Sequence, residues 1–504
     1  MTTETAAAQT DAATLDAVLA TLAGSAMALA DSAPAARAAA LRAVADALNA
    51  AAPELVEVAQ AETSLPEARL TGEVARTTGQ LRMFADGLEE GSWLDIIIDT
   101  ADPDAVPIPR PDLRRVQVPL GPTLVFAASN FPFAFSVAGG DTASALAAGC
   151  PVVVKAHPGH PKTSARTASI LVEAWEGAGM PAGSFALVHG EQAGVDALRD
   201  PRISAGSFTG SPAGGRALLD IAGAREVPVP FYAEMGSLNP AFVSPGAAAA
   251  RGAEIAAGYV TSFTLGVGQF CTKPGLLFLP RGHDLTEHLV DAVEGAAPGR
   301  MLLERIHSGH SSTRAALADR PGMRTVAAVA SPDAGELAGA MLLATDVPTL
   351  LQDREQVLVE CFGPTSIVVE YDGVEQLLAA AEAFDGDLTA TVHAEPGEQD
   401  LAQQLLRVLR DRVGRIVWNG WPTGVAVSWA MHHGGPYPAT SAPLHTSVGM
   451  TAVRRFLRPV TYQDCPQELL PEVLRDGAPG GLARRVDGRL TTQDVPRAGA
   501  GGSP

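Results

Sequence analysis

Cysteine is scarce in this chain. The 504 residues include only Cys150, Cys271, Cys361 and Cys465, and no two of these form a Cys-x-x-Cys pair. Small secreted domains pair many cysteines into disulfides, and structural zinc sites commonly use Cys-x-x-Cys pairs. The sequence therefore predicts neither a disulfide framework nor such a zinc site, and it favours a reducing cytoplasm.

Positive charge is also in short supply. Lysine and arginine number 36 against 56 aspartates and glutamates, which gives a formal net charge of −20, and no long basic run occurs. The phosphates of a nucleic acid would repel such a protein. We expect no nucleic-acid partner.

Signals for export or membrane insertion are not apparent. Residues 1–6 lack a basic segment followed by an apolar one, and no uncharged apolar stretch of membrane length stands out. Apolar residues nevertheless make up 46% of the chain, and the mean hydropathy is +0.12. A chain of this length is too long for one core, so we expect two or three domains.

The first 120 residues change character once. Residues 12–90 are rich in Ala and Leu, with charges at helical spacing, which predicts amphipathic helices. Residues 94–99 and 114–119 are β-like and are separated by a stretch with four prolines. This pattern favours an extended arm over a core helix.

Strands and helices then alternate. The pattern predicts strands at 122–128, 151–155, 185–188 and 205–210, and helices at 136–148, 164–177, 193–198 and 215–221. Such alternation is typical of a parallel, doubly wound sheet. A second α/β region follows as far as about residue 435, then a helix and strand at 448–462, and a Gly/Pro-rich tail from Ala478 with a frayed end.

Cys271 is the strongest candidate for chemistry. It lies in Phe-Thr-Leu-Gly-Val-Gly-Gln-Phe-Cys-Thr-Lys-Pro-Gly (263–275), which suits neither a helix nor a strand and predicts a tight loop that presents a thiol. Glu234 lies upstream in Glu-Met-Gly-Ser-Leu-Asn-Pro (234–240). A thiol and a separate carboxylate suit attack on carbon followed by base-assisted release with water.

Candidate cofactor contacts follow the predicted strands. Gly210, Ser211 and Gly215 open a helix directly after a strand, where a pyrophosphate can approach backbone N–H groups. The alternative is an ordinary Gly-rich turn, since the motif is not GxGxxG. Lys155 ends a strand at the sheet edge where ligands bind, although a solvated lysine fits equally well.

Two further polar residues have a functional and an ordinary interpretation. Asn130 follows a strand and can donate to a developing oxyanion, or can simply belong to the turn before Pro132. Glu360 can hold ribose hydroxyls, or can be a capping or surface residue. The histidine pairs at 157/160 and 432/433 lack further ligands, so we expect no metal site.

Six motifs, together and in this order, resemble those of the aldehyde dehydrogenase superfamily. They are Ser-Asn-Phe-Pro (129–132), Val-Lys (154–155), Phe-Thr-Gly-Ser (208–211), the 234–240 motif, Gly-Gln-Phe-Cys (268–271) and Glu-Cys-Phe-Gly-Pro (360–364). Residues 135–146, 265–275 and 433–440 are similar to a bacterial branch with 2,5-dioxopentanoate (α-ketoglutaric semialdehyde) and NADP-dependent fatty aldehyde dehydrogenases.

The resemblance implies an α/β fold with a Rossmann-type cofactor domain (1–93 and 119–233), an α/β catalytic domain (234–435), a small β oligomerisation arm (94–118 and 448–465) and a C-terminal tail (466–504). It also implies roles. Cys271 is the nucleophile, Asn130 and the Cys271 N–H hold the oxyanion, Glu234 is the base for hydrolysis, Lys155 contacts the adenosine ribose or its 2′-phosphate, Gly210, Ser211 and Gly215 line the pyrophosphate, and Glu360 and Phe362 position the nicotinamide ribose and ring.

The implied reaction is NAD- or NADP-dependent oxidation of an aldehyde to an acid, in a homodimer or homotetramer. Pro158 stands where many NAD-preferring relatives carry Glu, which favours acceptance of NADP. The implied substrate is α-ketoglutaric semialdehyde, whose carboxylate needs a cation or an N–H cluster that the sequence does not identify. Ala426 stands where we expect an acidic residue, so the substrate pocket can differ from that of the relatives. Aliphatic aldehydes are the alternative substrates, and they need only an apolar funnel, which Phe131, Phe133, Phe135 and Trp421 could line.

Three rival classes remain at this stage. A CoA-acylating dehydrogenase generally lacks the base that Glu234 supplies. A cysteine hydrolase or acyltransferase needs a histidine beside Cys271, and none flanks it in sequence. A non-catalytic protein would have no use for Cys271, Glu234 and Asn130 together.

Overall fold

The computed structural model describes residues 9–331, 337–477 and 481–495. Its first part is helical, as expected: α1 Ala12–Ala30, α2 Pro34–Ala50, α3 Ala52–Thr63 and α4 Glu67–Glu90. Asp11 caps α1 by accepting a hydrogen bond from the Thr14 N–H (2.8 Å). Leucines of α2 and α4, including Leu41 and Leu81, are fully buried in one shared core.

Helix α1 is long and apolar enough to span a membrane by length and composition alone, although it carries the charged residue Asp16. In the fold, its residues Leu15, Leu19 and Leu22 are buried in the core under the first sheet. Its apolar side therefore already has a partner within the chain.

Two arm strands come next, β1 Ile97–Asp99 and β2 Leu113–Pro119. The first sheet unit then consists of β3 Thr123–Phe126, α5 Gly140–Ala148, β4 Val152–Lys155, α6 Pro161–Gly177, β5 Phe185–Val188, α7 Glu191–Arg199, β6 Ala205–Thr209, α8 Pro212–Gly223 and β7 Phe231–Glu234. Its strand order is β5-β4-β3-β6-β7, and every pair is parallel. The doubly wound prediction is confirmed.

The order of this sheet reverses direction at β3. Ligands of such sheets bind outside the carboxyl ends of the strands near the reversal. The candidates Asn130, Lys155, Ser211 and Glu234 all lie at or just after the carboxyl ends of β3, β4, β6 and β7. One edge therefore gathers residues that are up to about a hundred positions apart in the sequence.

The second unit has β8 Ala241–Val243, α9 Pro245–Thr264, β9 Leu276–Pro280, α10 Thr286–Glu294, β10 Gly299–Arg300, α11 Glu304–Ala318, β11 Arg324–Ala328, β12 Leu337–Ala338, β13 Met341–Asp346, α12 Val347–Gln352, α13 Arg354–Val357, β14 Thr365–Tyr371, α14 Gly373–Glu382, β15 Asp387–His393, α15 Gln399–Leu409 and β16 Val413–Trp418. Its main sheet has the order β11-β13-β14-β9-β8-β15-β16, with only β11 antiparallel among the described pairs. Apolar clusters cover both faces.

The chain then returns to the arm through β17 Leu457–Gln463, β18 Arg484–Val486 and β19 Arg489–Thr491. These strands join β1 and β2 in a sheet with the order β17-β2-β1-β18-β19. The region 466–495 is therefore not a separate tail, because β18 pairs with β1 and Arg484 is buried while donating to the Arg475 carbonyl (2.7 Å). The frayed end expected at 498–504 lies outside the described residues.

Candidate active site

The loop before Cys271 is tight, as predicted. Helix α9 ends at Thr264, and Gly266, Val267 and Gly268 all have positive φ, of 57°, 59° and 66°. A β-branched residue rarely adopts this conformation, and such strain persists only where surrounding contacts enforce it. Asn239, itself at positive φ, supplies two of these contacts by donating to the carbonyls of Cys271 (2.8 Å) and Lys273 (2.9 Å).

Gly268 also brings the cysteine loop against the loop that carries Glu360. A Cβ at Gly268 would lie 2.3 Å from the carbonyl group of Gly363, so only glycine fits. The Lys273 ammonium joins the same two segments, since it donates to the carbonyls of Cys361 (2.7 Å) and Thr365 (2.8 Å). The two loops are thus packed as one unit.

Three side chains converge at the thiol. The Cys271 Sγ lies 3.4 Å from His433 Nε2, and that nitrogen lies 2.9 Å from Glu234 Oε1. The other oxygen of Glu234 accepts a hydrogen bond from the Ser447 hydroxyl (2.6 Å). His433 and Glu234 are buried, and Cys271 is half-buried. Nε2 of His433 carries at most one proton and contacts both other groups. The thiol, the imidazole and the carboxylate therefore form one series of groups along which a proton can pass.

The surroundings shift the protonation of this group. Burial, together with the negative charge of Glu234, raises the pKa of Cys271 well above its usual value. Burial opposes ionisation of Glu234, but His433 and the Ser447 hydroxyl outweigh it and lower the pKa of the carboxyl. The thiol therefore needs a neighbouring base to become a nucleophile.

Sequence reasoning missed His433. It is 162 positions from Cys271 and follows β16, in a connection where no local pattern indicates proximity. The Thr446 hydroxyl accepts from the His433 N–H (2.8 Å), and Ser447 N–H donates to the His433 carbonyl (2.9 Å), which fixes the segment. The one signal in the sequence is the histidine pair His432-His433, which by itself suggests at most a metal site.

Those three side chains also meet the distance requirement for a shared metal ion. Their ligand atoms all lie within 4.8 Å of one another. The same atoms already contact each other at 3.4 Å and 2.9 Å, so a metal would have to replace those contacts. The absence of a metal site remains a prediction.

Asn130 lies in the same pocket. Its side-chain Nδ2 donates to the Gln269 carbonyl (3.0 Å), two residues before Cys271. A primary amide has a second N–H, which is free for a ligand at this position. Gln269 is fixed in turn, since its side-chain oxygen accepts from the Leu302 N–H (3.0 Å).

An apolar cluster forms the wall around the thiol. It contains Ala128, Phe131, Ala134, Phe135 and Val448, with Phe270, Val425, Val427 and Met431 packed against them. Two of the expected lining residues lie elsewhere, because Phe133 belongs to the core under the helices and Trp421 packs on Tyr259 and His393. The segment 131–135 is a helix-like turn, in which the Phe135 N–H donates to the Phe131 carbonyl (3.3 Å), so residues four apart share a side and Phe133 faces away from them.

Cofactor candidates line a cleft beside this pocket. Pro212, at the start of α8, and Glu360 line the same cleft. Ser211 caps α8 by accepting a hydrogen bond from the Gly214 N–H (3.2 Å). Gly215 packs closely on Met235, since a Cβ added at Gly215 would lie 2.7 Å from the Met235 side chain. A phosphate suits this helix N-terminus.

Lys155 and Glu360 complete the set of residues that could hold a cofactor. Within the described ranges, the Lys155 ammonium has no hydrogen-bond or ion-pair partner, and burial lowers its pKa. Burial raises the pKa of Glu360 to about 7, while Phe362 is half-buried on the same loop. A cation, a helix N-terminus and a carboxylate acceptor match the phosphates and ribose hydroxyls of a dinucleotide, so these residues fit one.

Fold and site together place a half-buried thiol, a buried histidine and a buried carboxylate beside a cleft at the carboxyl edge of a doubly wound sheet. The model of the aldehyde dehydrogenase family matches residues 2–437, and the chain belongs to this family. It is an NAD(P)-dependent aldehyde oxidoreductase, which decides against the cysteine hydrolase even though His433 meets that rival's requirement.

Two curated relatives are similar over most of the chain. Alpha-ketoglutaric semialdehyde dehydrogenase 2 of Azospirillum brasilense is 48% identical over 81% of this chain and 79% of its own length. Alpha-ketoglutaric semialdehyde dehydrogenase of Acinetobacter baylyi is 44% identical over 82% of this chain and 79% of its own.

A solved structure supports the fold. A crystal structure of bifunctional proline utilization A superposes with a TM-score of 0.77 at 22% identity, over 91% of this chain. The match covers 45% of that protein, so this chain spans less than half its length.

Proposed function

We propose that this enzyme oxidises α-ketoglutaric semialdehyde to 2-oxoglutarate. The proposal rests chiefly on one observation, the contact of Cys271 with His433 and of His433 with Glu234 in an aromatic-walled pocket. The names of the two relatives, at 48% and 44% identity, supply the substrate.

In the first step, His433 Nε2 accepts the proton of the Cys271 thiol as Sγ bonds to the aldehyde carbon. The carbonyl oxygen becomes an oxyanion, which the free N–H of Asn130 and the Cys271 backbone N–H stabilise. A nicotinamide cofactor held by Lys155, Ser211 and Glu360 would supply the hydride acceptor for this carbon. A thioester on Cys271 remains.

In the second step, Glu234 takes a proton from water, and the water oxygen attacks the thioester carbon. The C–S bond breaks, the acid leaves, the Cys271 sulfur takes back the proton that His433 held, and Glu234 releases its proton to solvent. Because its pKa is lowered, Glu234 is ionised and ready to act as a base at neutral pH. The Ser447 hydroxyl holds the carboxylate in place.

For the cofactor, we propose that the first sheet unit with the N-terminal helices binds it and that the second unit carries the thiol. Gly210, Ser211 and Gly215 receive the pyrophosphate, Lys155 the adenosine ribose, and Glu360 and Phe362 the nicotinamide riboside. NADP is accepted, because Pro158 presents no carboxylate and Arg305 lies near, with Nη2 2.9 Å from His157 Nε2.

The cofactor proposal is tested with kcat/KM for NADP and NAD. Pro158→Glu should shift the ratio toward NAD by about tenfold or more, since a carboxylate beside a 2′-phosphate is repelled. A wild-type enzyme with strong NAD preference would contradict the assignment to Pro158.

We further propose a cytoplasmic homodimer or homotetramer assembled through the arm. The edge strand β17 has a free side in the described residues, and Val106 and Ile108 of the arm are 91% and 73% exposed. An unpaired edge and exposed apolar side chains both favour a partner subunit.

Substrate identity is tested with a chain-length series. The wild-type enzyme should favour α-ketoglutaric semialdehyde over pentanal by a large factor in kcat/KM. The apolar wall supports one alternative, a broad aliphatic aldehyde dehydrogenase. Equal or faster turnover of hexanal would establish that alternative instead.

A further inference from the structure

Helix α4 places two arginines against the aromatic wall of the substrate pocket. The Arg76 guanidinium lies 5.6 Å from the centre of the Phe131 ring and 5.3 Å from that of Phe135. Arg69 lies 5.2 Å from the Phe131 ring and 4.8 Å from that of Phe270. Phe270 precedes Cys271, and Phe135 lies 6.4 Å from the His433 ring, so these cations border the site of reaction.

Two N–H groups of the Arg76 guanidinium have no hydrogen-bond acceptor. Its Nε and Nη2 are buried and make no hydrogen bond, and no carboxylate in the described part of the chain forms an ion pair with it. The Nη1 of Arg69 is also buried and unpartnered, although its Nη2 donates to the Asn130 carbonyl (2.6 Å). Buried guanidinium N–H groups without partners are costly, which points to a missing anion.

The nearest acidic residue does not fill this role. Glu73 lies between the two arginines on α4, but its Oε1 accepts from the backbone N–H groups of Phe133 (2.8 Å) and Ala134 (3.0 Å). Burial raises the pKa of this carboxyl, which favours its neutral form. Glu73 is therefore already engaged, and Glu234, whose charge also acts on Arg76, makes no ion pair with it in the described part of the chain.

A third arginine near the thiol is differently engaged. Arg415 of β16 donates from Nη2 to the Pro422 carbonyl (2.6 Å) and from Nη1 to that of Gly424 (3.4 Å). These bonds hold the loop that carries Val425 and Val427 on the apolar wall. Arg415 thus positions a wall through both Nη atoms and leaves only its Nε unpartnered, whereas Arg76 leaves both Nε and Nη2 without an acceptor.

We propose that Arg76, assisted by the free Nη1 of Arg69, binds the distal carboxylate of the substrate and determines the preference for acid-ended aldehydes. A guanidinium on an aromatic face is rigid and presents paired N–H donors to a carboxylate. The proposal rests on the proposed function, because only a substrate with a carboxylate at the far end uses this anchor. It identifies the cation that the sequence left unnamed.

A second role for Arg76 would act on the thiol instead. Its positive charge opposes the burial and the Glu234 charge that raise the pKa of Cys271. This effect is independent of the substrate, so it would change turnover of all aldehydes alike and shift the pH profile. A carboxylate anchor instead changes the ratio of kcat/KM for an acid-ended aldehyde to that for a plain aliphatic aldehyde.

The experiment measures the ratio of kcat/KM for α-ketoglutaric semialdehyde to that for pentanal in wild type, Arg76→Met, Arg76→Lys and Arg82→Met. Arg82 is the matched control, since it lies on the same helix and its Nη2 pairs with Asp46 at 2.6 Å on the surface. We expect the ratio to fall on the order of 100-fold in Arg76→Met, less in Arg76→Lys, and to stay unchanged in Arg82→Met.

An unchanged ratio in Arg76→Met, or an equal fall for both substrates with a displaced pH profile, overturns the proposal. If Arg76→Met does not fold, Arg76→Lys decides, and a wild-type ratio there overturns it as well. Protection of Cys271 from iodoacetamide by glutarate gives a readout without turnover and should be lost in Arg76→Met. A wild-type enzyme that prefers pentanal would refute the proposed substrate, whereas the glutarate result would still decide the role of Arg76.

Discussion

Replacing His433 by asparagine separates thiol activation from every later step. At pH 7.5 a thiol with an ordinary pKa of about 8.5 is roughly one-tenth thiolate. Burial and Glu234 raise the pKa of Cys271 well above its usual value, so the thiolate fraction here is smaller still. A positioned base contributes about 10²–10⁴-fold, and His433 Nε2, at 3.4 Å from Sγ, is placed to do so.

We therefore expect the burst of reduced nicotinamide in His433→Asn to slow on the order of 100-fold at pH 7.5. Its rate should then climb about tenfold per pH unit up to roughly pH 9, because each unit raises the thiolate fraction tenfold while the pKa lies above the pH. Stopped-flow absorbance of the reduced cofactor measures both quantities.

His432→Asn is the matched control, since it makes the same change at the adjacent, half-exposed position, which does not contact the thiol. A burst in His433→Asn with the wild-type rate and pH dependence would refute the reasoning. Glu234 would then be the acceptor of the thiol proton.

Four further outcomes follow from the structure. Cys271→Ala should abolish oxidation yet retain cofactor binding by fluorescence quenching, and undiminished turnover would reject the nucleophile. Glu234→Gln should give a burst near one reduced cofactor per site and then a slow phase, whereas loss of the burst would place Glu234 in acylation or folding. In wild type, the lowered pKa of Glu234 should keep deacylation active as the pH falls below about 4.3, the usual midpoint of a glutamate, and a rate that halves at that midpoint would contradict the shift. A Val106→Asp/Ile108→Asp double variant should shift light scattering toward monomer, and a monomeric wild type would refute assembly through the arm.

Much of the architecture was readable from the sequence. Short β-branched runs such as 152–155, each followed by a helical stretch, identify β4 and its neighbours within a few residues. The alternation also predicts that strand ends share one edge, which is where Asn130, Lys155 and Glu234 lie. These inferences succeed because they depend on local periodicity and on a handedness that parallel sheets share.

Contacts across long separations were not readable. His433 meets Cys271 across 162 positions, and Arg76 meets the pocket wall from a helix that looks like an ordinary amphipathic one. The same limit applies to β18, which pairs with β1 from 388 positions away (Ile97 opposite Arg485). No local pattern encodes these contacts, because they arise only when separate elements pack.

The close approach of Gly268 to Gly363 has a consequence for how such an enzyme can diversify. With 2.3 Å between a Cβ added at Gly268 and the opposite carbonyl group, the thiol loop and the Glu360 loop form a single packed block, and a side chain at Gly268 would disturb both. Most of the pocket wall comes from elsewhere, from residues 128–135, 425–431 and Val448, with the arginines of α4 behind it. New aldehydes can therefore be accommodated by changing those outer walls, while the block that performs the chemistry is left intact.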